Sequence, residues 1–392
     1  TPLQMARRVD ARARWRLAGV ELPGIRVDGS DGDVDLEVAP SDAPEQTHEL
    51  TLDARTSGSG VRLPGLRLQH AEARIEGDGA IDLQTKEPFE ALRRLSSNYS
   101  VRVTELHTPS LSVGQARVSG RASRGDKPGQ ITSEFDASAG SISAGDLRMS
   151  ELQAHLSTSA TLAEDAPLYP VADMDLEGTI GLERLEHPSA SVAEADVALD
   201  LAGPPLDPTG QVDTQARRLA IAGRRFARAE LGVDTKPGRS VQIDLTASPP
   251  DGETDDTRDY RLMLATTYTP NFDAFDISAL RLGRTGQIWR LQEPTHLALT
   301  GGSIRLDAFD LRNGPQRIYL DGTYRTRGRQ SLDLTVESLD LGELQRLADY
   351  RPVSNLDGTV GLNVALRGTS DRPAVDRTFQ ATDVSALSYG PM

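Results

Sequence analysis

The sequence predicts an all-β protein built from many strands, each apolar on one side only. Three observations carry this reading. Leu, Val and Ile alternate with polar residues at a spacing of two along the whole chain, most clearly at Leu332, Leu334, Val336 and at Val360, Leu362, Val364, Leu366. Successive side chains of an extended strand point to opposite faces, so each run has one apolar face and one wet face. Gly, Pro and Asp punctuate the runs, and aromatic residues make up only 4% of the 392 residues, thin for several close-packed cores but adequate for half-apolar strands.

Taken in order, the first run is Val9, Ala11, Ala13, Trp15, Leu17, with Arg12, Arg14 and Arg16 on the opposite face. Alternating strand-face arginines explain these three better than a basic arm for nucleic acid. Val34, Leu36, Val38 and Leu50, Leu52 follow, then Val61 to Leu68, Ile81 with Leu83, Val101 with Val103, and Leu111 with Val113. The pattern continues through Val171 to Leu185, Val197 to Leu201, Leu219 to Ile221, Val241 to Leu245 and Ile304 to Leu311. With turn residues between them, these runs predict about 20 to 25 strands.

Two segments read as short helices. Glu87–Leu95 places Phe89, Leu92 and Leu95 on one side, with Pro88 near the first turn, where its missing N–H is harmless. Gly342–Tyr350 repeats the arrangement with Leu344, Leu347 and Tyr350. Each is about two turns long and must dock on sheet to persist, as a plug or lid over the apolar face.

The polar stretch 248–259 contains no large apolar residue. The chain therefore reads as one continuous repetitive body over 1–392, with a possible subdivision into 1–247 and 260–392. An insertion between adjacent strands is the preferred reading of the stretch, because loops tolerate length at modest entropic cost.

A formal net charge of −15 argues against a nucleic-acid partner, which needs a clustered positive field. No cysteine is present, which excludes disulfides, thiolate nucleophiles and zinc–thiolate sites. No run approaches the roughly 20 apolar residues of a membrane-spanning helix. The opening without Met and the closing Ser388–Met392 read as cuts in a longer protein, with any anchor lying outside.

Catalytic motifs are absent. There is no nucleophile elbow, phosphate-cradling loop, dinucleotide fingerprint or zinc-protease helix. His48, His70, His107, His155, His187 and His296 are scattered without the three- or four-residue spacing of a shared metal. Asp28, Asp31, Asp33 and Asp35 depart from a calcium loop, since the sixth position counted from Asp31 is Leu36 where a sharp turn needs Gly. They read as a solvated turn, and the carboxylates at Asp251, Glu253, Asp255 and Asp256 as a charged loop. The expectation is a non-enzyme with no catalytic residue, cofactor or metal.

Half-apolar strands can bury their apolar faces in a closed sandwich, in a filled solenoid, or in a curved sheet whose trough holds something else. A tight coil repeat is missing, and sandwiches would bring more aromatics, but composition does not choose among the three.

The C-terminal part carries a resemblance. Gln287 opens Ile-Trp-Arg-Leu-Gln-Glu-Pro-Thr-His-Leu-Ala-Leu; Gly302–Gly314 and Ile318–Tyr324 follow, then Leu332-Asp-Leu-Thr-Val, Leu339-Asp-Leu-Gly-Glu-Leu, Leu356-Asp-Gly-Thr-Val-Gly-Leu and Leu366-Arg-Gly-Thr-Ser-Asp-Arg-Pro. This ordered run over 287–389 resembles the TamB family, the inner-membrane component of the bacterial translocation and assembly module, grouped with the AsmA-like proteins. The preceding part shares only the texture. The resemblance implies a β-taco, an elongated sheet curled into an open, solenoid-like trough with an apolar interior. It further implies a periplasmic location across the cell envelope, anchoring in the inner membrane through a segment outside this chain, and an outer-membrane assembly partner of the Omp85 type. The implied function is bridge-like transport of phospholipid between the membranes, or, alternatively, a scaffold that assists outer-membrane or autotransporter protein assembly by templating β-strands.

On this reading the groove lining is the alternating set Leu297, Leu299, Ile304, Leu306, Ile318, Leu320, Leu332, Leu334, Val336, Val360, Leu362 and Val364. An ordinary packed core is the competing reading, because periodicity does not distinguish lipid-facing from protein-facing side chains.

Overall fold

The computed structural model describes residues 8–22, 25–40, 48–81, 92–127, 129–162, 171–221, 223–250, 259–284, 287–342 and 354–387. These form 23 antiparallel strands, so the fold is all-β. The chain divides into two compact units, the first Thr1–Pro205 with Gly210–Gly223 and the second Leu206–Thr209 with Arg224–Met392.

Unit 1 runs through β1 (Val9–Leu22), β2 (Ile25–Pro40), β3 (His48–Leu63), β4 (Leu66–Ile81), β5 (Leu92–His107) and β6 (Ser112–Arg124). It continues through β7 (Gln130–Ala144), β8 (Leu147–Leu162), β9 (Val171–Leu182), β10 (Arg184–His187), β11 (Ala190–Gly203) and β12 (Thr209–Ile221). Each strand from β1 to β8 pairs with the next. Both β9 and β10 lie between β8 and β11, so they are two halves of one interrupted strand. Alongside β11 runs β12, whose Arg217 Nη1 donates to Glu194 Oε1 at 3.2 Å.

Register follows hydropathy. Directly opposed residues of antiparallel strands share a face, and Ile75, Tyr99, Gly120, Phe135, Leu156, Gly178 and Leu199 stand in one cross-strand row. Arg12, Asp35, Asp53, Glu76, Asn98, Arg121 and Glu134 form a row on the opposite face. A one-residue slip would exchange the two faces, so the alternation fixes the register.

These strands are long, 16 residues in β3, β4, β5 and β8, and the two-residue alternation slips once in each. The apolar face steps by three from Leu17 to Val20 in β1 and from Val27 to Ser30 in β2. It steps from Val103 to Leu106 in β5 and Val113 to Ala116 in β6, then from Ala139 to Ile142 in β7 and Met149 to Leu152 in β8. The slip passes through the β9–β10 break, Leu182 to Leu185, into Val192 to Ala195 of β11. In β3 the face steps from Gly58 to Val61 and in β12 from the buried Ala216 to the half-buried Leu219, and Gly19, Gly60, Glu105, Glu151 and Arg218 have positive φ between 50° and 66° at these slips. Both partners of each pair slip at the same level, so the pairing register is unchanged across the slip.

Unit 2 consists of β13 (Arg224–Lys236), β14 (Ser240–Ser248), β15 (Tyr260–Tyr268), β16 (Ala274–Arg284), β17 (Gln287–Leu291) and β18 (Thr295–Thr300). Then come β19 (Ser303–Asn313), β20 (Gln316–Arg325), β21 (Ser331–Asp340), β22 (Ser354–Thr369) and β23 (Arg372–Leu387). They pair in chain order, with β17 and β18 sharing the place between β16 and β19.

One expectation changes, and two others meet the structure in part. Leu92 and Leu95 lie in β5 rather than in a helix, because a two-turn helix has little stability of its own against a 16-residue paired strand; residues 87–91 fall outside the described residues. Leu341 and Gly342 are helical, and 343–350 fall outside. The stretch 248–259 joins β14 to β15, which pair with each other, so the two units meet elsewhere in the sequence, at 205–224; its central residues 251–258, with their carboxylates, are outside the described residues.

Candidate functional site

The twelve sequence-selected residues all fall in unit 2, on one face of its sheet. Leu297 stands opposite Leu306 and Leu299 opposite Ile304. Ile318 and Leu320 oppose Val336 and Leu334, which in turn oppose Leu362 and Val364, while Leu332 opposes Leu366. Two bulges keep the set together. Ala308 (φ 50°) lets Leu306 and Phe309 face the same way, so that Phe309 meets Leu320. Ser338 (φ 50°) does the same for Val336 and Leu339, and Leu339 meets Val360. Cross-strand pairs of this kind are the unit of sheet stabilisation.

None of the twelve is buried. Ten are half-buried, and Leu299 and Ile304 are exposed at 40% and 49%. A sealed core would place its large side chains out of water. Among the described residues the buried apolar side chains of the chain are instead few and mostly small: Val113, Ala139, Ala195 and Ala216 in unit 1, and Phe226, Ala229, Ala247, Trp289 and Leu311 in unit 2. Leu311 continues the unit 2 face, directly opposite Ile318. The face also extends to the edge strand β23, where Phe379 opposes Leu362 and Val375 opposes Leu366.

The same one-sidedness holds in unit 1. In β7, β8 and β9 the apolar-face residues Phe135, Ala137, Leu152, Ala154, Leu156, Leu176 and Ile180 are half-buried, and the alternating residues between them are exposed. Sequence reasoning selected no site residue here. Small residues interrupt the alternation of large ones, and Gly120 and Gly178 give it no apolar signal at all. Those glycines have a steric reason: a Cβ at Gly120 would come within 2.6 Å of Phe135 Cβ, and one at Gly178 within 2.1 Å of the His155 carbonyl oxygen.

Charge occupies the opposite face. Asp28, Asp31, Asp33 and Asp35 lie within β2, not in a turn. Asp31, Asp33 and Asp35 oppose Arg16, Arg14 and Arg12 of β1, and Arg12 Nε reaches Asp35 at 3.0 Å. His155 Nδ1 lies 2.9 Å from Asp136 Oδ1, and that contact with its negative charge raises the imidazole pKa. In unit 2, Arg312 and Arg317 both close on the Asp310 carboxylate at 2.9 to 3.1 Å, which holds its pKa below the ordinary value.

Open hollows of about 850 Å³ and about 440 Å³ lie among the long side chains of this polar face in unit 1, sharing Arg117. Asp136, His155, Asp196 and Asp213 line the larger. Among the described residues no group of three or more His, Asp or Glu could hold a metal ion, and no helix is long and apolar enough to cross a membrane. No family model, curated protein or solved structure matches the chain.

Proposed function

We propose that this chain is a segment of a non-enzymatic, bridge-like lipid carrier whose apolar sheet face shelters phospholipid acyl chains between two membranes. One observation carries the reading: the apolar alternation is gathered onto one face in each unit, yet most of its large side chains, Phe226, Trp289 and Leu311 apart, stay only half-buried instead of closing into a core. Each methylene withdrawn from water contributes about 0.8 kcal/mol, so a tail of about 16 carbons gains on the order of 10 kcal/mol on such a face. Head groups remain in water, and movement along the face needs no tight site. The ordered resemblance of 287–389 to the TamB family supports a place in the periplasm and an outer-membrane partner of the Omp85 type.

Leu334→Asp with Leu362→Asp tests the reading. Phospholipid transfer between donor and acceptor vesicles is lost while β-sheet circular dichroism persists; collapse of the sheet would identify a packed core instead.

A second reading, a scaffold that templates client β-strands, is favoured by β23. Among the described residues it pairs on one side only, and Val375 and Phe379 are exposed at 57% and 65%. An open strand edge accepts an added strand.

A further inference from the structure

The slips in the alternation of unit 1 form a line. In the register, the residues flanking each slip oppose those flanking the next: Val103 and Leu106 of β5 meet Ala116 and Val113 of β6, and these meet Ala139 and Ile142 of β7. Three positions on the line are non-glycine residues in left-handed conformation, Glu105 (φ 51°), Glu151 (φ 51°) and Arg218 (φ 50°), in company with Gly19 and Gly60. Such backbone is disfavoured for residues with a side chain and persists only where its surroundings hold it.

Burial follows the same line. Among the described residues, the four buried apolar side chains of unit 1, Val113, Ala139, Ala195 and Ala216, all adjoin it, whereas Ile75 and Val101, farther along their strands, are exposed; at the β1 end of the line Leu17 is exposed as well. Side chains are most covered where a sheet folds on itself, and three of these four are alanine.

We propose that this line is a crease, that Glu105, Glu151 and Arg218 fix the angle it imposes between a long wall and the short lip at the hairpin turns, and that this angle sets the cross-section open to an apolar occupant. The occupant half of the proposal rests on the lipid-carrier reading; the crease does not.

The absence of cysteine allows paired spin labels to measure the angle in the full chain. Asp146→Cys with Ser157→Cys spans the crease on β8 and its turn. Eleven residues of straight strand would separate these positions by about 36 Å at roughly 3.3 Å per residue, and the crease predicts a clearly shorter distance. Arg121→Cys with Asp200→Cys, in one row of the long wall, is the control. Replacing Glu105, Glu151 and Arg218 together by Val lengthens or broadens the first distance by on the order of 5 to 10 Å and leaves the control unchanged. The matching triple glycine variant keeps the wild-type distance and raises Tm, since glycine adopts this conformation freely.

A straight-strand distance in the wild-type chain, an unmoved distance in a folded valine variant, or a lowered Tm in the glycine variant would overturn the crease. Uptake of a pyrene-labelled phosphatidylglycerol from vesicles is read in parallel. A twofold or greater change in uptake in the valine variant supports the occupant half, and unchanged uptake despite a changed distance overturns it. If neither chain takes up the probe while the distances behave as expected, the crease stands and the lipid-carrier reading falls.

Discussion

Trp15 of β1 lies over Gly32 of β2: the two residues are directly paired, and a Cβ at Gly32 would come within 2.2 Å of Trp15 Cζ2. The glycine is the seat of the indole, and Gly120, opposite Phe135, is likewise a position where a Cβ would not fit, against the Glu134 carbonyl oxygen and Phe135 Cβ. Large side chains are accommodated on the apolar face by emptying the position beside them.

Gly32→Val therefore displaces Trp15 and costs about 1–3 kcal/mol, as overpacking does. In a Trp289→Phe background, which leaves Trp15 as the sole tryptophan, urea titration reads the cost and a red-shifted emission reads the displacement. Unchanged emission and midpoint would remove the steric account.

Asp310 sets an acid limit on unit 2. Its side chain is 15% exposed, and its carboxyl is held below the usual value near 3.8 by hydrogen bonds from Arg312 first and Arg317 second. A depressed carboxyl pKa stabilises the fold above the unfolded value, and that contribution is lost as pH falls through the folded value. Asp310→Asn should cost about 1.5–3 kcal/mol at neutral pH and flatten the loss of stability below pH about 4. Thermal melts from neutral to acid pH check both; an equally steep acid limb in the variant would contradict the assignment.

His155 behaves in the opposite sense. Its hydrogen bond to Asp136 and the charge of that carboxylate raise its pKa above 6.5, so the interaction is fully present below 6.5 and is lost as pH rises through the folded value. An NMR titration of the ring places its midpoint above 6.5, and Asp136→Asn brings it back down. No change in midpoint in that variant would show that the pairing does not persist in solution.

Gln330 closes the β20–β21 turn from a buried position. Its Oε1 accepts from Arg325 N–H at 2.9 Å, and its Nε2 donates to the Arg325 carbonyl. Gln330→Ala leaves both backbone groups unsatisfied and should cost about 1–3 kcal/mol, read by denaturant midpoint, and Gln330→Glu should cost at least as much at neutral pH, because its carboxylate sets a buried acceptor against the Arg325 carbonyl.

Much of this was legible in the sequence. The two-residue alternation specified strands, faces and register, because burying one face makes register unambiguous. The twelve residues from Leu297 to Val364 share a face for that reason. The crease was written in the same letters as three-residue steps such as Val103 to Leu106 and Val113 to Ala116, but one step in isolation looks like a strand end. Only pairing shows that the steps align. Its buried residues are largely alanine, which carries too weak an apolar signal to stand out. The Phe89–Leu92–Leu95 spacing suited a helix locally, and Leu92 and Leu95 joined a strand because long-range pairing outweighs local propensity. The aspartates of β2 looked like a turn because their arginine partners lie across the strand pair, at Arg12, Arg14 and Arg16.

Native mass spectrometry of the chain purified without detergent tests the lipid-carrier reading most directly. Co-purifying phospholipid, removed by organic extraction and diminished in the Leu334→Asp, Leu362→Asp variant, is the result expected of a lipid carrier. A lipid-free wild-type chain, whether empty or carrying a bound polypeptide, would contradict it.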